Sequence, residues 1–216
     1  MTSSIWLRDE EPRRRRAPQL TRERIVGEAV ALLDEDGVDG LTMRNLARRL
    51  GVTSTALYWH VATKDDVLDL AVDQIFSEVP IPEPGQDWRA DVRTLVRGWR
   101  AAMLAHPWAP ALIGRPLLGP NVLARTEFLQ AALVRGGRTG MDLAVTTRLL
   151  ANYVIGAAVT EATWRRASDA RARAETRRRI AAYPTLDASG HLDASRWDDD
   201  LLFDGGLDAI LGSGTH

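Results

Sequence analysis

Between Gly40 and Lys64 the chain reads GLTMRNLARRLGVTSTALYWHVATK, 25 residues with four cationic side chains and no acid. Acids crowd both flanks, with Asp34, Glu35, Asp36 and Asp39 before the window and Asp65 and Asp66 after it. In a chain of net charge -1, a window cleared of acids is suited to a polyanionic partner. The same window restricts the backbone. Leu46 and Leu50 lie four apart on one helical face, Gly51 permits a tight turn, and Thr53 or Ser54 caps a second short helix ending near His60. Two short helices across a glycine turn predict a helical domain that presents the outer face of the second helix.

The flanking sequence supports that reading. Thr21 caps a first helix running to Asp36, with Gly37 as its stop, and Ile25, Ala29, Leu32 and Leu33 share its inner face. Thr42 caps Met43–Leu50, which leaves Arg44, Asn45, Arg48 and Arg49 for solvent or phosphate. Thr63 caps the next helix, whose Asp65 and Asp66 favour the positive end of its dipole. Pro80, Pro82, Pro84 and Gly85 punctuate the chain and predict a boundary between a DNA-binding domain at 20–79 and a second domain at 86–212. Residues 1–19 lack periodicity and carry Arg13–Arg16. This basic arm is read as flexible, either following phosphates and the minor groove or solvated as a tail.

Beyond the prolines, 87–105 is amphipathic, 108–119 is irregular and 121–135 is helical. Residues 141–166 are apolar around much of a helix, which predicts a subunit interface. The segment 168–182 is rich in Arg, 184–200 reads as a loop, and a last helix occupies 200–211. No strand pattern appears, so the expected fold is all-α. The chain lacks cysteine, which removes disulfides, zinc thiolates and thiol catalysis. No apolar run reads as approaching a membrane span and no apolar leader opens the chain, so the expectation is a cytoplasmic protein with no membrane partner. His60, His106, His191 and His216 fall in no metal-binding spacing, and no nucleophile elbow or phosphate loop occurs. Neither an enzyme nor a cofactor is expected, and His106, before a proline, reads as a polar helix end.

In a helix–turn–helix, the second helix enters the major groove. Thr53, Ser54, Thr55, Tyr58 and His60 point outward here, while Leu57 points in. Hydroxyls and aromatic edges suit base and phosphate contacts, and Arg44 and Lys64 flank them as cations. The longer run GVDGLTMRNLARRLGVTSTALYWHVATKDDVLDL resembles the DNA-binding domain of the tetracycline-repressor (TetR) family. It shares the Gly-Val-Asp-Gly-Leu-Thr entry, the Leu-Ala-x-x-Leu-Gly-Val helix and Leu-Tyr-Trp-His-Val followed by Lys64. The resemblance places Arg44 and Thr55 at groove contacts and Tyr58, His60 and Lys64 at backbone contacts. Ser54 takes a base-reading position but differs from the family's prototype. Trp59 belongs to the same stretch, and its bulk reads as packing against the domain.

The resemblance also implies a homodimer on palindromic operator DNA, repression, and release by a small-molecule inducer. FDGGLDAILGSG is similar to the family's last helix, which places Gly206 and Leu207 in a dimeric four-helix bundle. By position, Leu95, Trp99, Met103, Ile113 (or Leu112), Arg115, Phe128, Tyr153 and Thr160 would line the ligand pocket, with Arg115-Pro116 in a segment that moves on induction. The prototype's metal-coordinating His is aliphatic here, its polar amide is Leu95 and its acidic partner is Thr160. That implies no metal and a largely apolar ligand. Such a Trp/Leu/Met stripe can equally be plain core. The competing function is a helical small-molecule-binding or interaction protein with no sequence-specific DNA binding.

Overall fold

The computed structural model describes residues 20–112, 118–167, 170–193 and 196–212, with the side chains of 165–170 excepted. Arg13–Arg16, Ile113 and Arg115 lie outside the described residues. Ten α-helices and no strand occur among those described. The first four are α1 (Arg22–Gly40), α2 (Met43–Leu50), α3 (Ser54–Tyr58) and α4 (Lys64–Ser77). Then follow α5 (Trp88–Ala105), α6 (Pro120–Arg135), α7 (Gly140–Ala167), α8 (Ala170–Ile180), α9 (Pro184–Ser189) and α10 (Asp199–Leu211).

Local chemistry sets most of these ends. Thr21, Thr42, Thr53 and Thr63 each accept a hydrogen bond from the backbone N–H three residues on. At α4 the cap is reciprocal, because the Asp66 carboxylate accepts from the backbone N–H of Thr63 at 2.9 Å. Gly37 interrupts α1 with φ 70°, and Gly51 closes α2 with φ 69°, both in the left-handed region open to glycine. Residues 184–189, expected in a loop, instead form α9. Pro184 starts it, and Gly190 at φ 64° ends it with two backbone bonds.

A continuous apolar core runs from Ile25 on α1 to Leu211 on α10. In the first four helices it holds Leu32, Leu33, Leu46, Leu50, Leu57, Val67 and Ile75. In the later ones it holds Leu95, Val96, Met103, Leu129, Leu133, Leu150 and Leu207. Three ion pairs strap α10 antiparallel to α5: Arg93 to Asp208, Arg97 to Asp204 at 2.6 Å, and Arg100 to Asp200 at 2.5 Å. Arg100 is buried, and its Nε also donates to Glu161 of α7 at 2.8 Å. Burial opposes the Arg100 charge, yet the hydrogen bonds to Asp200 and Glu161 prevail and raise its proton affinity.

Two expectations change. Leu207 is fully buried within the protomer, and a Cβ on Gly206 would overlap the Tyr153 hydroxyl. Both positions therefore pack α10 onto α7 rather than facing outward. The outward faces belong to Met141, Val145 and Leu149 on α7 and Leu201 and Leu202 on α10, all exposed. In addition, Gly140–Trp164 is by length and composition apolar enough to cross a membrane, contrary to the expectation that no run approaches a span.

Candidate nucleic-acid interface and ligand core

Leu57, fully buried beneath α3, fixes which way that short helix faces. Thr53, Thr55, Tyr58, Trp59 and His60 are exposed, and Ser54 is half-buried. Trp59 is 85% exposed, so the packing role expected for it is wrong. It is the C-terminal cap residue of α3, its backbone N–H donating to the Leu57 carbonyl.

The four cations of the window divide into two pairs. Arg49 is turned back onto α1, reaching Glu35 with Nη1 at 2.5 Å and Nη2 at 3.0 Å, with Glu28 at 3.5 Å. Lys64 donates from Nζ to the Val38 carbonyl at 2.8 Å, which ties the start of α4 to the end of α1. Arg44 and Arg48 are exposed on α2, with no ion pair recorded among the described residues. The outward positive charge thus rests on Arg44 and on Arg48, which the sequence had left for solvent or phosphate without assigning it a contact. Its signal was the spacing, since Arg44 and Arg48 lie four apart on one helical face. Asn45 is used internally, donating to the Gly40 carbonyl at 3.0 Å.

Of the expected ligand residues, Leu95, Trp99, Met103 and Phe128 are buried together in the core of the later helices. Trp99 meets Phe76 edge to face at 6.2 Å. Its indole N–H is buried with no hydrogen-bond partner among the described residues. A buried indole donor of this kind costs about 1–3 kcal/mol when left without an acceptor. Tyr153 is drawn elsewhere. Its ring stacks on Phe203 at 5.2 Å, its hydroxyl donates to the Phe203 carbonyl at 3.0 Å, and burial raises its pKa. Thr160 is exposed on α7. Tyr153 is thus half-buried against the same apolar core on its α10 side, whereas Thr160 faces out.

A cavity of about 440 Å³ lies at another place, between the end of α1 and the residues after α5, lined by Leu33, Asp34, Val38, Pro107 and Trp108 among others. Beside it the Asp34 carboxylate accepts from the Trp108 indole at 2.6 Å and lies 2.8 Å from His106 Nδ1. His106 Nε2 lies 3.3 Å from Glu78. His106 is therefore a buried link among three segments, beyond the polar helix end expected of it. Its partners stand 72 and 28 residues away, and no local pattern announces them.

Comparison with known proteins matches two family profiles. Residues 25–71 match the family described as bacterial regulatory proteins, tetR family, and residues 81–214 match the tetracyclin repressor-like C-terminal domain. An HTH-type transcriptional regulator of Saccharopolyspora erythraea is 46% identical over 200 residues, covering 90% of this chain and 84% of that one. Among solved structures, apo ActR from Streptomyces coelicolor superposes with a TM-score of 0.78 at 30% identity, covering 89% of this chain and 93% of ActR. ActR in complex with actinorhodin superposes with a TM-score of 0.77 at 30% identity, over 90% of this chain and 96% of that one.

Proposed function

The chain belongs to the tetR family of bacterial regulators and is a ligand-responsive, DNA-binding transcriptional repressor; from that premise we propose how its own residues divide the work. Residues 20–79 form the DNA-binding domain and 86–212 the ligand-binding and dimerisation domain. The repressor acts in the cytoplasm as a homodimer on palindromic operator DNA. Ser54 and Thr55 meet base edges, Tyr58, Trp59 and His60 extend along groove and backbone, Thr53 lies at the helix start, and Arg44 and Arg48 neutralise phosphates. The observation that carries this reading is the exposed Tyr58-Trp59-His60 strip directly above a fully buried Leu57. Adjacent exposed aromatic rings beside hydroxyls and cations offer a groove both apolar and hydrogen-bonding contacts.

Two copies meet through Met141, Val145 and Leu149 of α7 and Leu201 and Leu202 of α10. Covering these exposed side chains gives the long apolar helix a use inside a soluble dimer. The inducer enters the core near Leu95, Trp99, Met103 and Phe128 and is largely apolar, with one acceptor for the Trp99 N–H. Its binding favours a dimer whose two reading helices no longer match half-sites about 34–36 Å apart. Purified protein incubated with sheared genomic DNA tests the proposal. Recovery of discrete fragments sharing an inverted repeat, lost with Tyr58→Ala, is expected. Indiscriminate recovery, or none, favours the helical interaction protein without operator recognition.

A further inference from the structure

The junction between α4 and α6 is built from two buried charges, each placed at the end of the other's helix. Gly119, which precedes α6, makes no side-chain cap. Instead the Asp73 carboxylate of α4 accepts from the Asn121 and Val122 backbone N–H groups at 3.0 Å each, and from Asn121 Nδ2 at 2.9 Å. A Cβ on Gly119 would overlap that carboxylate, so the approach needs glycine. In return, Arg125 of α6 donates from Nε to the Val79 carbonyl at 2.7 Å and from Nη2 to the Ser77 carbonyl at 3.1 Å, past the last turn of α4. Its Nη1 donates to the Asn121 carbonyl at 3.0 Å, inside its own helix. A carboxylate at a helix start and a guanidinium at a helix end are each favoured by the helix dipole. Asp73 and Arg125 are both nine-tenths or more buried. Burial lowers the proton affinity of Arg125, and the Asp73 charge opposes that.

Caps ordinarily come from within one helix or from its flanking turn. Here each helix lends its end to the other, so neither can slide without stripping charged hydrogen bonds from buried atoms. The far end of α4 starts at Lys64, beside the DNA-reading residues, and is held to α1 through Val38. We propose that Asp73 and Arg125 are positioning residues that make α4 and α6 one mechanical unit, so that the placement of α6 sets the separation of the two reading helices in the dimer. This rests on the dimeric operator reading above, and it identifies how that reading's half-site spacing is held.

The test needs no inducer. Wild-type protein selects its palindrome from a random duplex pool, and affinity is then measured for that duplex, for versions with one and two base pairs inserted at its centre, and for a single half-site. The wild type is expected to lose about 100-fold on the inserted versions, because only one half-site then docks well. Arg125→Gln and Asp73→Asn are expected to cut that discrimination to less than about 10-fold while half-site affinity holds, as the helices become free to re-space. Arg125→Lys, which keeps a charge on the α4 carbonyls, retains most of it. Where a variant fails to fold, Asn121→Ala, which removes only one donor to Asp73, is read by the same ratio. Folded variants with the wild-type ratio overturn the proposal, and so does an equal loss on all three duplex types, which marks a purely structural role. Failure of the wild type to select any palindrome instead overturns the operator reading itself.

Discussion

Side chain by side chain, the proposed reading surface separates exposed residues from those that hold the domain. Trp59 is the sharpest case. Being exposed, its replacement by Ala should change stability by no more than about 0.5 kcal/mol. Operator affinity should nevertheless fall by about tenfold or more, as loss of a buried aromatic contact does. Leu57→Ala should behave in the opposite way, costing about 2–5 kcal/mol of folding free energy through a cavity under α3. Thermal melts paired with anisotropy titrations distinguish the two. Lys64→Met should weaken the tie to the Val38 carbonyl and lower stability, whereas Arg44→Ala should leave the melt unchanged and flatten the salt dependence of binding by about one unit. The sequence made the outward set legible because residue period alone sorts Leu57 from Thr55 and Tyr58. It misread Trp59, since bulk and apolar character normally signal packing and only the three-dimensional position of the helix end shows otherwise. It also gave no sign that Lys64 and Arg49 are committed to α1, because both partners lie in a different helix.

Helix ends, at the level of elements, were the most legible features, since a Thr cap or a left-handed glycine acts on its immediate neighbours. The helix at 184–189 was hidden by its shortness, although Pro184 and Gly190 are start and stop signals. The Arg93, Arg97, Arg100 ladder against Asp208, Asp204, Asp200 had no local sign in the sequence. Its pairing requires knowing that α5 and α10 lie antiparallel. Arg97 holds the Asp204 carboxyl below the usual aspartate range, and the same bond raises the Arg97 pKa. A carboxyl depressed in the folded state stabilises above its unfolded pKa and loses that contribution as pH falls through the folded value. Wild-type stability should therefore decline below about pH 4 more steeply than that of Arg97→Met, followed by chemical denaturation across pH 3 to 7. At neutral pH the Arg97 pair, half-exposed, is worth under about 1 kcal/mol. Arg100→Met, which takes away the cation beside buried Glu161, should cost about 3–5 kcal/mol.

For the molecule as a whole, α7 and α10 expose Met141, Val145, Leu149, Leu201 and Leu202, the face that the proposed second copy would cover. Leu149→Asp should yield a folded monomer by sedimentation, because Leu149 points outward; Leu207→Asp should unfold the protomer, because Leu207 is fully buried. Two long apolar helices were readable from 141–166 and 200–211, yet which of their residues stay exposed was not, since both helices are apolar on more than one side. The ligand core was legible as a stripe but not as a pocket. Periodicity brings Leu95, Trp99 and Met103 together, while it does not show that the Trp99 N–H lacks a partner among the described residues. The proposed function makes these elements one object, a pair of reading helices held at a fixed separation by apolar helices that would also enclose a ligand. The measurement that tests this most directly is the salt dependence and stoichiometry of binding to the selected palindrome. Two protomers per duplex should bind, with affinity falling at least about 1,000-fold between 50 and 200 mM salt. One protomer per duplex, or an affinity that ignores salt, would contradict it.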